Sequence, residues 1–331
     1  MSILQRFYQT SKAYFFWILQ KIYDHTPYCV CTWIFRHIDY FHYKMLVHFE
    51  HPIMTKRKEG GIIGNECYGN LWAVKNAMKG NFHPNCMIEH GVYFGEYVIE
   101  NECTIPDIDT IYTYSEYRKN AILKWFDGKI DKQIVTVGPY ILYADNFKTK
   151  KQLQKIKEKL GRVLLVFPSH PFPGQKLEYD LVSFQKEIEN VAKDFDTVLV
   201  SLGYGDVLKG NDKIYLNKGY KVVCSGGRMD RWFLCRLHDL LELSDMSMSN
   251  DVGTHIGYSV AMGVPHYLFK QNVKTGKNDG LPLQSDDKIN HTRKREYDKL
   301  YKEFSSKEPI ITQDQKEIVN FYWGLEKSFK L

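Results

Sequence analysis

Between residues 59 and 270 two hydrophobic periods alternate along the chain. Short continuous apolar runs recur, and each is followed by a stretch with apolar positions at helical spacing. Val163-Leu164-Leu165-Val166-Phe167 is the clearest run; five apolar residues without a polar break predict a strand buried on both faces. Residues 86–88, 110–114, 134–137, 197–202, 220–224, 246–248 and 266–269 read as further strands. Residues 71–78, 116–126, 181–195, 232–243 and 254–262 read as helices between them. Ser115 stands where it caps the helix that starts at Glu116, and Thr312 where it caps a final helix through Val319 and Trp323. Strands alternating with helices predict the α/β class, with parallel sheets joined by right-handed crossovers. Two such runs of similar size predict two Rossmann-like domains facing a cleft. The expected divisions are 1–58, a helical aromatic-basic segment; 59–145, a first Rossmann-like domain; 146–161, a Lys-rich linker; 162–305, a second Rossmann-like domain; and 306–331, a C-terminal helix.

The first 58 residues differ from the rest. Leu4, Phe7, Tyr8, Tyr14, Phe15, Ile18, Leu19, Ile22 and Tyr23 recur at near-helical spacing, among Lys12, Lys21, Arg36, Lys44 and Lys56. Two readings stay open: an amphipathic element on the inner membrane leaflet, or a helical layer packed on the first domain. The apolar run 13–19 is too short to span a bilayer, and no secretory signal pattern is visible.

Composition narrows the class. At 44% hydrophobic and 25% charged residues the chain has the means to bury a core. A net charge of +6 falls short of a dedicated nucleic-acid binder and suits anionic ligands or an anionic membrane surface. Seven scattered cysteines without a CxxC pair suggest neither a zinc site nor a disulfide framework, so reduced thiols in the cytoplasm are expected.

Ligands of doubly wound sheets gather at the carboxyl ends of the strands, which turns the strand pattern into a set of candidate site loops. In the second half these are Pro168-Ser169-His170, Gly203-Tyr204-Gly205-Asp206, Ser225-Gly226-Gly227-Arg228-Met229-Asp230 and Asn250-Asp251-Val252-Gly253-Thr254-His255. Free N–H groups at a helix start, hydroxyls and the Arg228 guanidinium suit a diphosphate. Asp230 and Asn250 are candidates for sugar or ribose hydroxyls. In the first half, His90 follows a strand and precedes a Gly-containing loop, so it is the candidate general base, with Glu89 and Glu96 as carboxylate alternatives. Asn65 and Glu66 are expected to line the same cleft.

Glu89-His90-Gly91, Val137-Gly138-Pro139, Val166-Phe167-Pro168-Ser169-His170, Cys224-Ser225-Gly226-Gly227-Arg228 and Ser249-Asn250-Asp251-Val252-Gly253-Thr254-His255 together resemble the GT-B class of glycosyltransferases. Within it the chain resembles bacterial transferases of capsule and O-antigen polysaccharide assembly, over roughly residues 60–325. The resemblance implies a nucleotide-sugar donor on the second domain and a glycan or lipid-linked glycan acceptor on the first. It also implies metal-independent catalysis and no separate cofactor. A cytoplasmic location is expected, with the N-terminal segment, outside the resemblance, as the candidate peripheral contact with the inner membrane. Asp107-Ile108-Asp109 precedes a strand instead of following one, so it is not a metal-binding pair of that class. Many members hold the ribose with a Glu in the last donor loop; here Asn250, Asp251 and His255 stand there. A nucleotide-sugar 2-epimerase and a catalytically silent glycan-binding subunit are the alternatives.

Overall fold

The computed structural model describes residues 28–48, 63–170, 175–277 and 287–329. Most of the aromatic pattern of the first segment, with Lys12, Lys21 and Lys56, lies outside the described residues. Helices α1 (Tyr28–His37) and α2 (Tyr43–His48) are joined by a 3-10 turn, where the Asp39 carboxylate accepts from Phe41 N at 3.0 Å. A 3-10 segment (Ile63–Gly69) leads into α3 (Asn70–Met78). Then come β1 (Cys86–Ile88), α4 (Glu100–Cys103), β2 (Thr110–Thr113), α5 (Glu116–Trp125) and β3 (Gln133–Thr136). These three strands form a parallel sheet in the order β1-β2-β3.

Helix α6 (Lys150–Leu160) leads into the second half: β4 (Val163–Phe167), β5 (Gln175–Glu178), α7 (Leu181–Val191), β6 (Thr197–Ser201), α8 (Tyr204–Leu208), α9 (Asp212–Leu216) and β7 (Lys221–Val223). It continues with α10 (Phe233–Glu242), β8 (Met246–Ser249), α11 (Thr254–Ala261), β9 (His266–Leu268), β10 (Lys274–Lys277), α12 (Asp287–Glu303) and α13 (Gln313–Trp323). Five strands form a parallel sheet in the order β7-β6-β4-β8-β9. β5 and β10 form a separate antiparallel pair.

Local chemistry starts the helices. Ser115 Oγ accepts from Arg118 N at 3.3 Å, and Thr312 and Gln315 close a capping box on α13. The expected strands and helices fall within a few residues of these bounds. The polar stretch 274–294 contains β10 and the start of α12, which the sequence pattern does not mark. β5 and β10 are short and polar, so their pairing rests on backbone hydrogen bonds and leaves no hydrophobic period to read. Among the described side chains of α12 only Leu300 and Tyr301 are buried, too narrow a stripe to stand out.

The two sheets share one hydrophobic cluster. It runs from Ile88, Tyr112 and Tyr114 of the first sheet through Leu165 and Leu199 of the second to Trp323. A second cluster packs Phe184 and Ile188 of α7 against Leu164, Val166 and Val200. α13 lies against both halves: Tyr322 O accepts from Ser115 Oγ at 2.9 Å, and Gly257 of α11 faces the fully buried Trp323 indole. The described N-terminal helices pack on the β7 edge of the second sheet, and Tyr40 between them joins the hydrophobic cluster that holds Leu71 and Val74 of α3. Cys224 N donates to Tyr40 O at 3.1 Å, and Tyr43 OH donates to Asp212 Oδ2 at 2.8 Å. Among the described residues no helix is long and apolar enough to cross a membrane.

Candidate functional site

In the five-stranded sheet the strand order reverses between β4 and β8, so the loops after these strands flank the crevice where such sheets bind ligands. Asn250 ties the two loops together. It is fully buried; its Oδ1 accepts from Ser169 N at 2.8 Å and Ser169 Oγ at 3.0 Å, and its Nδ2 donates to Gln271 at 3.0 Å. The side chain expected to meet a sugar hydroxyl is therefore engaged within the protein, as is Ser169.

Gly253 precedes α11, whose first turn carries no side-chain cap. Its leading N–H groups and the positive end of its dipole point out of the rim. His255 stacks on Phe167, with ring centroids 4.9 Å apart, and its buried Nε2 has no hydrogen-bond partner among the described residues. Burial, with His170 adding repulsion, pushes His255 down to about 3. Behind it, His266 lies 2.8 and 3.0 Å from the Ser247 and Ser249 hydroxyls, and burial holds it well below its usual range. Both rings are neutral near pH 7, so His255 itself offers a hydrogen bond and no positive charge. His170 is exposed and its ring abuts Gly203, which brings the β4 and β6 loops into contact.

The β7 loop turns at Gly226 with φ +117°, where a Cβ would lie 2.5 Å from Asp230 Oδ2. Gly227 beside it is buried. Asp230 forms a buried ion pair with Arg236 at 2.6 Å and also accepts from Trp232 N at 2.9 Å. Arg236 is fully buried and donates further to Ile38 O at 3.0 Å, Ser225 O at 3.0 Å and Phe35 O at 2.6 Å. Asp230, expected to face a ribose, thus helps fasten the β7 loop to α1. Arg228 is exposed and reaches toward the first half: its Nε donates to Cys67 Sγ at 3.2 Å, and its backbone oxygen accepts from Tyr68 N at 2.6 Å.

On the first sheet, Glu89 and His90 part company. Glu89 is buried and takes a bidentate ion pair from the fully buried Arg118, at 2.6 and 3.1 Å, plus the Thr113 hydroxyl. Both of its oxygens are thus taken up by protein donors. His90 follows it with its side chain 11% exposed; Nε2 lies 3.2 Å from Glu102 Oε1, and the buried Nδ1 has no hydrogen-bond partner among the described residues. Glu102 sits on α4, a four-residue helix, and nothing in its sequence context marks it. Glu96 pairs with Lys124 and lines an outer groove with Tyr117 and Phe321, away from His90. Asn65 extends the edge of β1, donating to Cys86 O and accepting from Ile88 N, both at 2.7 Å. Glu66 is buried beside Cys67. Burial pushes the Cys67 thiol up against the pull of Arg228, and Glu102 and Glu66 add to the rise, which places these groups in one neighbourhood.

The two halves meet at this neighbourhood. Val92 N donates to Thr254 Oγ1 at 3.3 Å, and a Cβ on Gly91 would lie 2.9 Å from the same hydroxyl. Deeper in, the Tyr114 and Tyr258 hydroxyls hydrogen-bond at 2.9 Å. His90 with Glu102, the start of α11 with His255, and Arg228 therefore gather along one seam. Asp230, Asn250, Glu89 and Glu96 are engaged by protein partners. Among the described residues no group of three or more His, Cys, Asp or Glu is placed to hold a metal ion.

No family model and no curated protein matches the chain. Among solved structures, the chain is similar to that of Anabaena Alr3699/HepE in complex with UDP, at 13% identity and a TM-score of 0.34, over 74% of this chain and 70% of that one.

Proposed function

We propose that the chain is a glycosyltransferase of GT-B type that moves a sugar from a nucleotide-sugar to a hydroxyl of a surface-polysaccharide acceptor. The observation that carries this reading is the contact of the His90-Gly91-Val92 turn with Thr254 at the start of α11. It sets a base candidate from one sheet beside an anion-suited helix start at the switch point of the other. The donor diphosphate is assigned to the α11 N-terminus, with Arg228 as the nearby cation and His255 Nε2 as a hydrogen-bonding partner.

His90 acts as general base. Nε2–H donates to Glu102, which fixes the tautomer and leaves Nδ1 to take the proton. The acceptor oxygen attacks the anomeric carbon as its proton passes to Nδ1. The bond from that carbon to the diphosphate oxygen breaks, and the nucleoside diphosphate leaves with the electron pair. The imidazolium is then stabilised by the Glu102 carboxylate. A single displacement inverts the anomeric centre.

The test is incubation with UDP-, GDP-, CMP- and dTDP-sugars and a panel of free and lipid-linked saccharides, with the product read by NMR. Inverted product is expected, and His90→Ala should lower kcat by about a hundredfold or more. A retained anomeric configuration, or unchanged turnover in His90→Ala, sinks the mechanism. Glu102→Gln should lower kcat less than His90→Ala, because the amide still accepts from Nε2–H but no longer offsets the imidazolium charge.

A further inference from the structure

Glu96 is absent from the seam and lines a groove outside it. The groove lies between α5 and α13 and has a volume of about 480 Å³, within the ~300–1,000 Å³ range of sites that take small organic ligands. Tyr117, Asn120, Ala121 and Lys124 fall at i, i+3, i+4 and i+7 on α5 and form one wall. Asn320 and Phe321 of α13 belong to the other. Phe321 is 54% exposed, an apolar ring left in water, with its centroid 5.1 Å from that of Tyr117. Glu96 arrives from a turn in which Gly95 and Glu96 both hold positive φ, +77° and +59°. A residue with a side chain rarely adopts that conformation, and here hydrogen bonds fix it: Gly95 N donates to Glu296, and Glu96 N donates to Tyr117 OH at 3.1 Å.

The polar part of the lining selects the ligand class. Glu96 pairs with Lys124 and Glu116 with Lys327, which leaves Glu326 without an ion-pair partner among the described residues. Three carboxylates against two lysines disfavour nucleic acid, free phosphates and an anionic lipid surface. The walls are helices and offer no strand edge to an extended peptide, and one exposed ring is too little apolar surface for an amphipathic helix. A neutral saccharide suits what is left. Its hydroxyls both donate and accept; the lining supplies carboxylates that accept, lysines that donate and the exposed Asn120 amide that does both. Asn320 Oδ1 accepts from Glu326 N at 2.9 Å, which leaves its Nδ2 as a further donor. The Phe321 ring gives the apolar C–H face of a pyranose a surface to lie on.

We propose that the groove between α5 and α13 binds a neutral saccharide chain, at a site separate from the seam that holds His90. This inference stands apart from the transfer reaction and survives if that reading fails. It is tested by saturation-transfer NMR titrations of the full chain with linear oligosaccharides of glucose, galactose, mannose and N-acetylglucosamine, with polyphosphate as an anionic competitor. At least one of the oligosaccharides is expected to bind at millimolar concentration or below, and polyphosphate is expected not to displace it. Phe321→Ser should weaken that binding by about tenfold, and Asn120→Ala should weaken it less. Both side chains are exposed, so the thermal melts of the variants should match the parent's. His90→Ala should bind as the parent does, which separates this groove from an acceptor held at the seam. No binding of any of the oligosaccharides overturns the proposal. Equal binding by the parent, Phe321→Ser and Asn120→Ala places the saccharide elsewhere and overturns it as well. Displacement by polyphosphate overturns the assignment to a neutral ligand.

Discussion

His255 and His266 are neutral side chains at a rim that the sequence equips for an anion. With His255 depressed to about 3 by burial and the neighbouring His170, the unfolded chain takes up a proton near pH 6.5 before the folded one does. Its contribution to stability is complete above pH 6.5 and is lost as pH falls from there toward 3. His266, depressed by burial and by His255, acts in the same direction. Asp239 acts oppositely: burial raises it to about 6, so its ionised form is a burden above that pH, relieved as pH falls from 6 toward 3.8. Replacing His255 with Phe removes one proton-linked group and a buried nitrogen without a hydrogen-bond partner. Urea titrations between pH 6 and 4 should then show a stability slope smaller by about 1.4 kcal/mol per pH unit. An unchanged slope would mean that His255 is protonated in the folded state. The sequence marks the polar residues at strand ends but not which of them face outward. Asn250 and Asp230 look like ligand contacts until Ser169, Gln271 and Arg236 are seen to hold them, and Glu102 becomes visible only through His90.

Elements were more legible than side chains where burial is two-sided. Val163–Phe167 is apolar at every position because helices cover both faces of the sheet, and that leaves a plain signature. β5 and β10 carry no such signature, since their mostly polar residues pair with each other in a separate two-stranded sheet and show no hydrophobic period. Two contacts between elements are equally silent in the sequence. A side chain at Gly257 would overlap the buried Trp323 indole that joins α11 to α13, so Gly257→Ala should cost about 1–3 kcal/mol and lower Tm. Arg236→Met leaves Asp230 as an uncompensated buried charge and removes the donors to Phe35 O and Ile38 O, for a loss of about 3–5 kcal/mol in denaturant titration. A Tm unchanged by either substitution would mean that the contact does not hold the elements together.

At the scale of the whole molecule, the sequence reading of two α/β halves meets a structure in which both sheets share one hydrophobic cluster. The Val92–Thr254, Tyr114–Tyr258 and Ser115–Tyr322 hydrogen bonds fasten the seam from rim to floor. The halves were legible because each repeats the strand–helix alternation. The seam was not, because its partners stand more than 140 residues apart in the chain. The nucleotide-binding role of this seam is tested most directly by thermal melts of the full chain with UDP, GDP, CDP, CMP and dTDP. One nucleotide class is expected to raise Tm in a concentration-dependent way, with a stabilisation of about 2.7 kcal/mol at a hundredfold excess over Kd. Arg228→Ala should remove most of that rise. No shift with any of the nucleotides at millimolar concentration would contradict a nucleotide-sugar donor site at the start of α11.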